Sequence, residues 1–337
     1  MIVTDERPIF IVSSPRSGST LLRLILDAHP RLAVPPPAWL FHYIYPYLYS
    51  YGNLNVEENL RTLIEDALKT PTIEEWPIDV NINEVHSEMK ESNYRELFSA
   101  LHRIYARMGG KERWGEKSPR DAFYMSEIKF YYPDAQFIHI LRDGRDVAID
   151  LSESILWPNT LYASAMMWKD FVTSIEDSAR EMGPDVYHIV RYNELCSHPE
   201  KTLRQICSFL GEEFRDDMLN HNQTNSTKVW AQAKVHAKTA RPITSEYVDM
   251  YKSRISEHDC SVLEGIIGDT LRRVGYSIEG EPVQLSSKEA RQLIENDTVS
   301  NLKAIEYKRW HEQRRKERFE IGVWKNSDKS SNLLGFY

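Results

Sequence analysis

Ile9-Phe-Ile-Val-Ser-Ser14, then Pro15-Arg-Ser-Gly-Ser-Thr20, then Leu21-Leu-Arg-Leu-Ile25 form the stretch on which the fold turns. The apolar run stops at Pro15 and Gly18, after which Leu21, Leu22, Leu24, Ile25 and Ala28 recur at helical spacing. That order reads as a buried parallel strand, a tight loop and a helix. Two more runs repeat it. Gln136–Leu141 (QFIHIL) ends in a charged turn and a helix, and residues 186–190 (VYHIV) lead through Arg191 and Tyr192 to a helix from about Pro199 to Leu210, closed by Gly211. Strands alternating with helices predict an α/β, three-layer sandwich around a mainly parallel sheet, with Arg113–Glu116 as a further short strand.

Outside these units the pattern changes. Glu57–Leu68 and Tyr94–Met108 have helical spacing, so residues 38–110 read as a helical insertion over one end of the sheet. Within it, Phe41, Tyr43, Tyr45, Tyr47, Tyr49 and Tyr51 alternate, which predicts an extended segment, although Pro46 interrupts it. Residues 255–274 form an amphipathic helix ending near Gly275. Beyond Gly280 the chain turns polar and charge-rich, so the division is a domain at 1–280 and a C-terminal helical extension at 281–337. In that extension Lys303–Arg318, with Trp310 and Phe319 as apolar anchors, is expected to pack on its own domain or on a second subunit of a homo-oligomer.

The 337 residues are 41% hydrophobic and 27% charged, ordinary for a globular chain, and the net charge of -8 argues against nucleic acid as a partner. Cys196, Cys207 and Cys260 make no even disulfide framework and no zinc-type spacing, so reduced thiols are expected and a catalytic metal is not. No run approaches the ~20 apolar residues of a membrane span. The polar start from Met1 to Pro8 has no secretory pattern, so the expectation is a cytoplasmic protein.

Chemistry gathers at the ends of the predicted strands. In the loop at residues 13–20, backbone N–H groups and a helix N-terminus favour an anion, Gly18 permits close approach, Arg16 adds charge, and Ser17, Ser19 and Thr20 add hydroxyls. It is not a Walker A loop: Ser19 stands where the lysine would, and the other core strands end in Arg142 and Arg191 rather than a magnesium-binding carboxylate. Both features speak against a P-loop small-molecule kinase.

Pro15-Arg-Ser-Gly-Ser-Thr20 resembles the 5'-phosphosulfate loop of sulfotransferases that use 3'-phosphoadenosine 5'-phosphosulfate (PAPS), closest to the tyrosylprotein and bacterial branches. Leu141-Arg-Asp-Gly-Arg-Asp146 is similar to the family's 3'-phosphate segment, and Trp114-Gly-Glu-Lys-Ser-Pro119 to its lysine motif. Arg191-Tyr192, the following helix and Arg241-Pro242 continue the likeness in order to about residue 278. The resemblance implies a P-loop-type fold and in-line, metal-free sulfuryl transfer to a hydroxyl acceptor (a glycan, lipid or small molecule), with 3',5'-bisphosphate (PAP) as product. On it, Arg16 and Lys117 stabilise the transferring group, Ser17, Gly18, Ser19 and Thr20 hold the 5'-phosphosulfate, Arg142 grips the 3'-phosphate, Tyr192 borders the adenine and Arg241 closes the donor site.

Two departures stand out. The family's serine eight residues after the first arginine is Asp150 here, so either the helix turns Asp150 away or Ser152 or Ser154 substitutes. The family's glutamate base, a few residues after a His-Pro pair, falls on Pro37, which accepts no proton. Another residue then acts, with His42 the nearest candidate, or the acceptor has a low pKa, or the chain is a non-catalytic PAP-binding protein.

Overall fold

The computed structural model describes residues 4–154, 158–230, 241–295, 297 and 313. Five parallel strands form one sheet in the order β2 (Leu32–Ala33), β3 (Arg113–Glu116), β1 (Thr4–Val12), β4 (Gln136–Leu141), β5 (Tyr187–Arg191). Ile9–Val12 of β1 pairs in register with Gln136–His139 of β4. Consecutive strand side chains point to opposite faces, and β1 shows the consequence. Phe10 and Val12 enter one core, with Trp114, Phe137 and Phe98, while Ile9 and Ile11 enter the other, with Ile138 and Ile140. The sheet is apolar on both faces because both are covered.

On the face of Ile9 and Ile11 lie α1 (Ser19–Asp27) and, beyond β5, α9 (Tyr192–Ser197) and α10 (Pro199–Leu210). The opposite face carries the insertion helices α2 (Leu40–Tyr43), α3 (Glu57–Leu68), α4 (Ile82–Glu88) and α5 (Tyr94–Met108), then α6 (Met125–Tyr131). A third cluster joins α7 (Gly144–Ser152), α8 (Leu161–Ala179) and α13 (Glu257–Arg273). The short helices α11 (Asn225–Trp230) and α12 (Tyr251–Arg254) precede α13, and α14 (Ser287–Glu295) follows it. The chain after Gly280 runs back over α13, where Val283 N–H donates to the Ser261 carbonyl at 2.9 Å. The expected helix at Lys303–Arg318, with Trp310, lies outside the described residues, as does Phe319.

The alternating aromatics are not extended. Leu40–Tyr43 is helical and Tyr45–Tyr51 is a 3-10 segment with Pro46 in its first turn. Proline supports such a start, and Phe41 and Tyr45, four residues apart, gather on Tyr94, Phe98, Tyr124 and Tyr131 while Tyr43 stacks on Trp39. The two-residue β2 and the six-residue α9 are too short for periodicity to reveal.

Candidate active site at the C-terminal edge of the sheet

Because every strand is parallel, all strand exits lie on one edge, where α/β sheets bind their ligands. β1 delivers the loop at 13–18, β3 delivers Lys117, β4 delivers Arg142 and β5 delivers Tyr192. Arg16 and Gly18 are both left-handed (φ 65° and 91°), an alternation that turns successive N–H groups inward into an anion-binding concavity. Gly18 is required twice over: a Cβ there would meet the Tyr192 ring at 2.5 Å. Tyr192 is thus the floor beneath the turn, with the Arg142 guanidinium 4.8 Å from its ring centre.

The residues fit a doubly phosphorylated nucleotide. Among the described residues, Ser13 Oγ, Arg16 Nε and Arg142 Nε are buried here without a hydrogen-bond partner, Arg142 Nε lying 3.9 Å from Asp146 Oδ2. Lys117 is 4% exposed and its ammonium donates to Thr20 Oγ1 at 3.4 Å, at the first turn of α1. Burial, then the charge of Arg23, pushes Lys117 down to about 7, with Glu116 and Asp121 pulling the other way. Its charge is therefore held at a cost that an incoming anion relieves.

Asp150 is not turned away. Its Oδ2 accepts from Arg142 Nη1 at 2.5 Å and its Oδ1 lies 3.9 Å from Arg16 Nη2. Arg142 also donates to the carbonyls of Arg16 (2.9 Å) and Tyr247 (2.7 Å), so it ties the loop to the closing segment. Ser152 instead donates to its own helix at the Ile149 carbonyl, 2.9 Å away. The carboxylate thus sits where the resemblance places a hydroxyl, as an internal anion between the two arginines. Arg241 is exposed; it donates to the Tyr247 hydroxyl at 3.1 Å and pairs with Glu246 at 3.5 Å. Behind Arg142, Asp146 anchors the closing segment through the N–H groups of Asp249 and Tyr251, both at 2.9 Å. Burial pushes Asp146 up to about 6.

On the acceptor side, His42 is 9% exposed and its ring meets Trp39 and Tyr43 edge-on at 5.9 and 5.2 Å. Sequence reasoning missed two acidic residues at this end, Glu116 and Asp121, which flank Lys117. Glu116 Oε2 pairs with His102 Nε2 at 2.7 Å and Oε1 accepts from Ala38 N–H at 3.1 Å and from the Ser118 hydroxyl. Asp121 follows in a 3-10 turn, Pro119–Phe123. Only its place four residues after Lys117 could have drawn attention to it.

Comparison with known proteins agrees with this geometry. The Drosophila melanogaster protein-tyrosine sulfotransferase is 25% identical over 257 residues, which is 73% of this chain but 47% of that protein. Protein-tyrosine sulfotransferase A of Caenorhabditis elegans is 24% identical over 315 residues, 88% of this chain and 76% of that one. The chain therefore spans about half of the first relative and three quarters of the second. In fold it is similar to the sulfotransferase domain of the Synechococcus PCC 7002 olefin synthase (TM-score 0.57, 23% identity, 83% of this chain and 99% of that one). It is also similar to the sulfotransferase domain of the curacin biosynthetic pathway (TM-score 0.54, 18% identity, 81% and 99%). The profile described as "Sulfotransferase family" matches residues 8–216, from β1 through the exits of β3, β4 and β5, and the chain belongs to that family.

Proposed function

We propose that this chain transfers a sulfuryl group from PAPS to a hydroxyl acceptor at the edge where β1, β3 and β4 end. The observation that carries this reading is the convergence of Arg16, Lys117 and Arg142 around a left-handed loop with partnerless buried donors. PAPS supplies the activated sulfuryl group and leaves as PAP. The N–H groups of residues 16–20, with Ser17, Ser19 and Thr20, hold the 5'-phosphosulfate end, and Gly18 lets it approach. Arg142 holds the 3'-phosphate and Tyr192 borders the base. Arg16 and the Lys117 ammonium stabilise charge as it builds on the leaving side, which is the main source of acceleration expected in such a site.

The acceptor enters beneath the insertion. Trp39 and Tyr43 stack there at 6.0 Å, and the Arg120 guanidinium lies 5.7 Å from the Trp39 ring centre. Aromatic faces of this kind suit a glycan, a lipid-like or an aromatic small-molecule hydroxyl. Residues 281–337 form a C-terminal extension to this catalytic unit. Among the described residues, no helix is long and apolar enough to cross a membrane.

A thermal-shift comparison of PAP, PAPS, AMP and ATP with magnesium tests the donor assignment. PAP and PAPS are expected to stabilise most. A preference for ATP with magnesium would end the sulfotransferase reading.

A further inference from the structure

The acceptor hydroxyl must lose a proton, and the position where the resemblance puts a base is Pro37. The chain at Ala38 and Trp39 is pinned to the end of β3. Ala38 N–H donates to Glu116 Oε1 and Trp39 N–H to Ser118 Oγ, both at 3.1 Å. Two acidic side chains stand at this junction, in opposite conditions. Glu116 is fully engaged, by Ala38, Ser118 and His102. Asp121 is 2% exposed, and among the described residues neither of its carboxyl oxygens has a hydrogen-bond partner. Its turn begins two residues after Lys117 and packs against both α2 and β1. A buried carboxyl with no partner is costly and needs an explanation.

We propose that Asp121 is the general base of this enzyme, accepting the acceptor's proton in place of the glutamate absent at position 37. The proposal rests on the sulfotransferase reading. The acceptor oxygen forms its bond to sulfur while the bond from sulfur to the 5'-phosphate oxygen breaks. The electron pair leaves on PAP, and the proton passes to an Asp121 carboxylate oxygen. Lys117, whose charge acts on Asp121, reaches the loop at Thr20, so the donor-site cation and the base both come from the end of β3. The charges acting on Asp121 are those of Glu116 and Lys117, with the phenols of Tyr94 from α5 and of Tyr124 beside it. Pairing with α8 runs through Ser174, which donates to the Ala122 carbonyl at 3.0 Å. Burial first, then Glu116, holds Asp121 well above the usual carboxylate range, with Lys117 opposing, which makes it a stronger proton acceptor once ionised.

Sulfuryl transfer from PAPS to 4-cresol and to 4-nitrophenol tests this in the intact chain, in wild type, Asp121→Asn and His42→Gln. Asp121→Asn is expected to lower kcat by ~100- to 10,000-fold with 4-cresol and far less with the acidic 4-nitrophenol, which needs little help. PAP affinity should stay unchanged by calorimetry. A second readout is independent of turnover: difference infrared spectroscopy of the wild type should show a buried carboxyl band lost as pH rises above the ordinary carboxylate range, absent in Asp121→Asn. Pro37→Glu added to Asp121→Asn should restore activity. If Asp121→Asn does not fold, the same comparison of 4-cresol with 4-nitrophenol in Asp121→Ser decides. The proposal is overturned by Asp121→Asn turnover within about 3-fold of wild type, or by a base-like loss in His42→Gln alone. Those results leave the sulfotransferase reading standing. A wild-type chain that binds neither PAP nor PAPS overturns both.

Discussion

Replacing Asp150 by serine should tighten PAP binding while weakening the unliganded protein. The Asp150 carboxylate, 8% exposed, is 2.5 Å from Arg142 Nη1 and 3.9 Å from Arg16 Nη2. A 3'-phosphate gripped by Arg142 brings like charge to about 6 Å from that carboxylate, which at an effective dielectric of about 20 costs about 3 kcal/mol per charge pair. Removing it should therefore improve the PAP dissociation constant by ~100-fold. AMP, which lacks the 3'-phosphate, should gain much less. Before the nucleotide binds, the same change removes the nearest counter-charge of Arg142, leaving it Asp146 at 3.9 Å, and breaking such a buried pair costs up to about 3–5 kcal/mol. The unliganded melting temperature should accordingly fall by roughly 5–10 °C and be recovered by PAP. Calorimetry with PAP and AMP, in wild type, Asp150→Ser and Asp150→Asn, measures each quantity. Equal gains for the two nucleotides, or no gain for PAP, would refute the placement of the 3'-phosphate on Arg142.

Other outcomes follow from the same geometry. Arg142→Ala should weaken PAP at least ~10-fold by calorimetry with little change for AMP, since a charge-assisted contact to the 3'-phosphate is lost. Gly18→Ala combines a left-handed φ of 91° with a Cβ 2.5 Å from Tyr192, so a loss of about 1–3 kcal/mol in chemical denaturation, together with loss of PAP binding, is expected. Lys117 is depressed to about 7 from its ordinary 10.5. Between those values the folded chain holds fewer protons than the unfolded one, so this group's contribution to stability rises with pH across that window. Lys117→Met should flatten that part of the pH–stability curve. PAP should restore the lysine's proton affinity, and proton uptake on binding at pH 8, measured by calorimetry in two buffers, checks this. At Gly265 an added Cβ would meet the Val283 carbonyl oxygen at 1.9 Å, so Gly265→Ala should push the 280–283 strap off α13, seen as faster proteolysis C-terminal to Gly280.

The parts of this protein read directly from its sequence are those governed by neighbours in the chain. Ile9–Val12 followed by Pro15 and Gly18 specifies strand, turn and helix through local sterics and periodicity, and β4 with Arg142 repeats the logic. The 57–68 and 94–108 helices match their apolar spacing. Periodicity misled at 41–51, which is helical and 3-10, with Phe41 and Tyr45 packed together on Tyr94 rather than set along a pleat.

What the chain order determined alone is the parallel α/β frame and the cationic residues at its strand exits, because a strand's end and the turn after it are set within a few residues. Only the folded molecule decided how those cations are partnered: that Asp150 faces Arg142 and Arg16, and that Asp121 is enclosed beside Lys117 without a partner. Charge and hydrogen bonding depend on distance through space, and packing the insertion and the closing segment onto the sheet edge sets those distances.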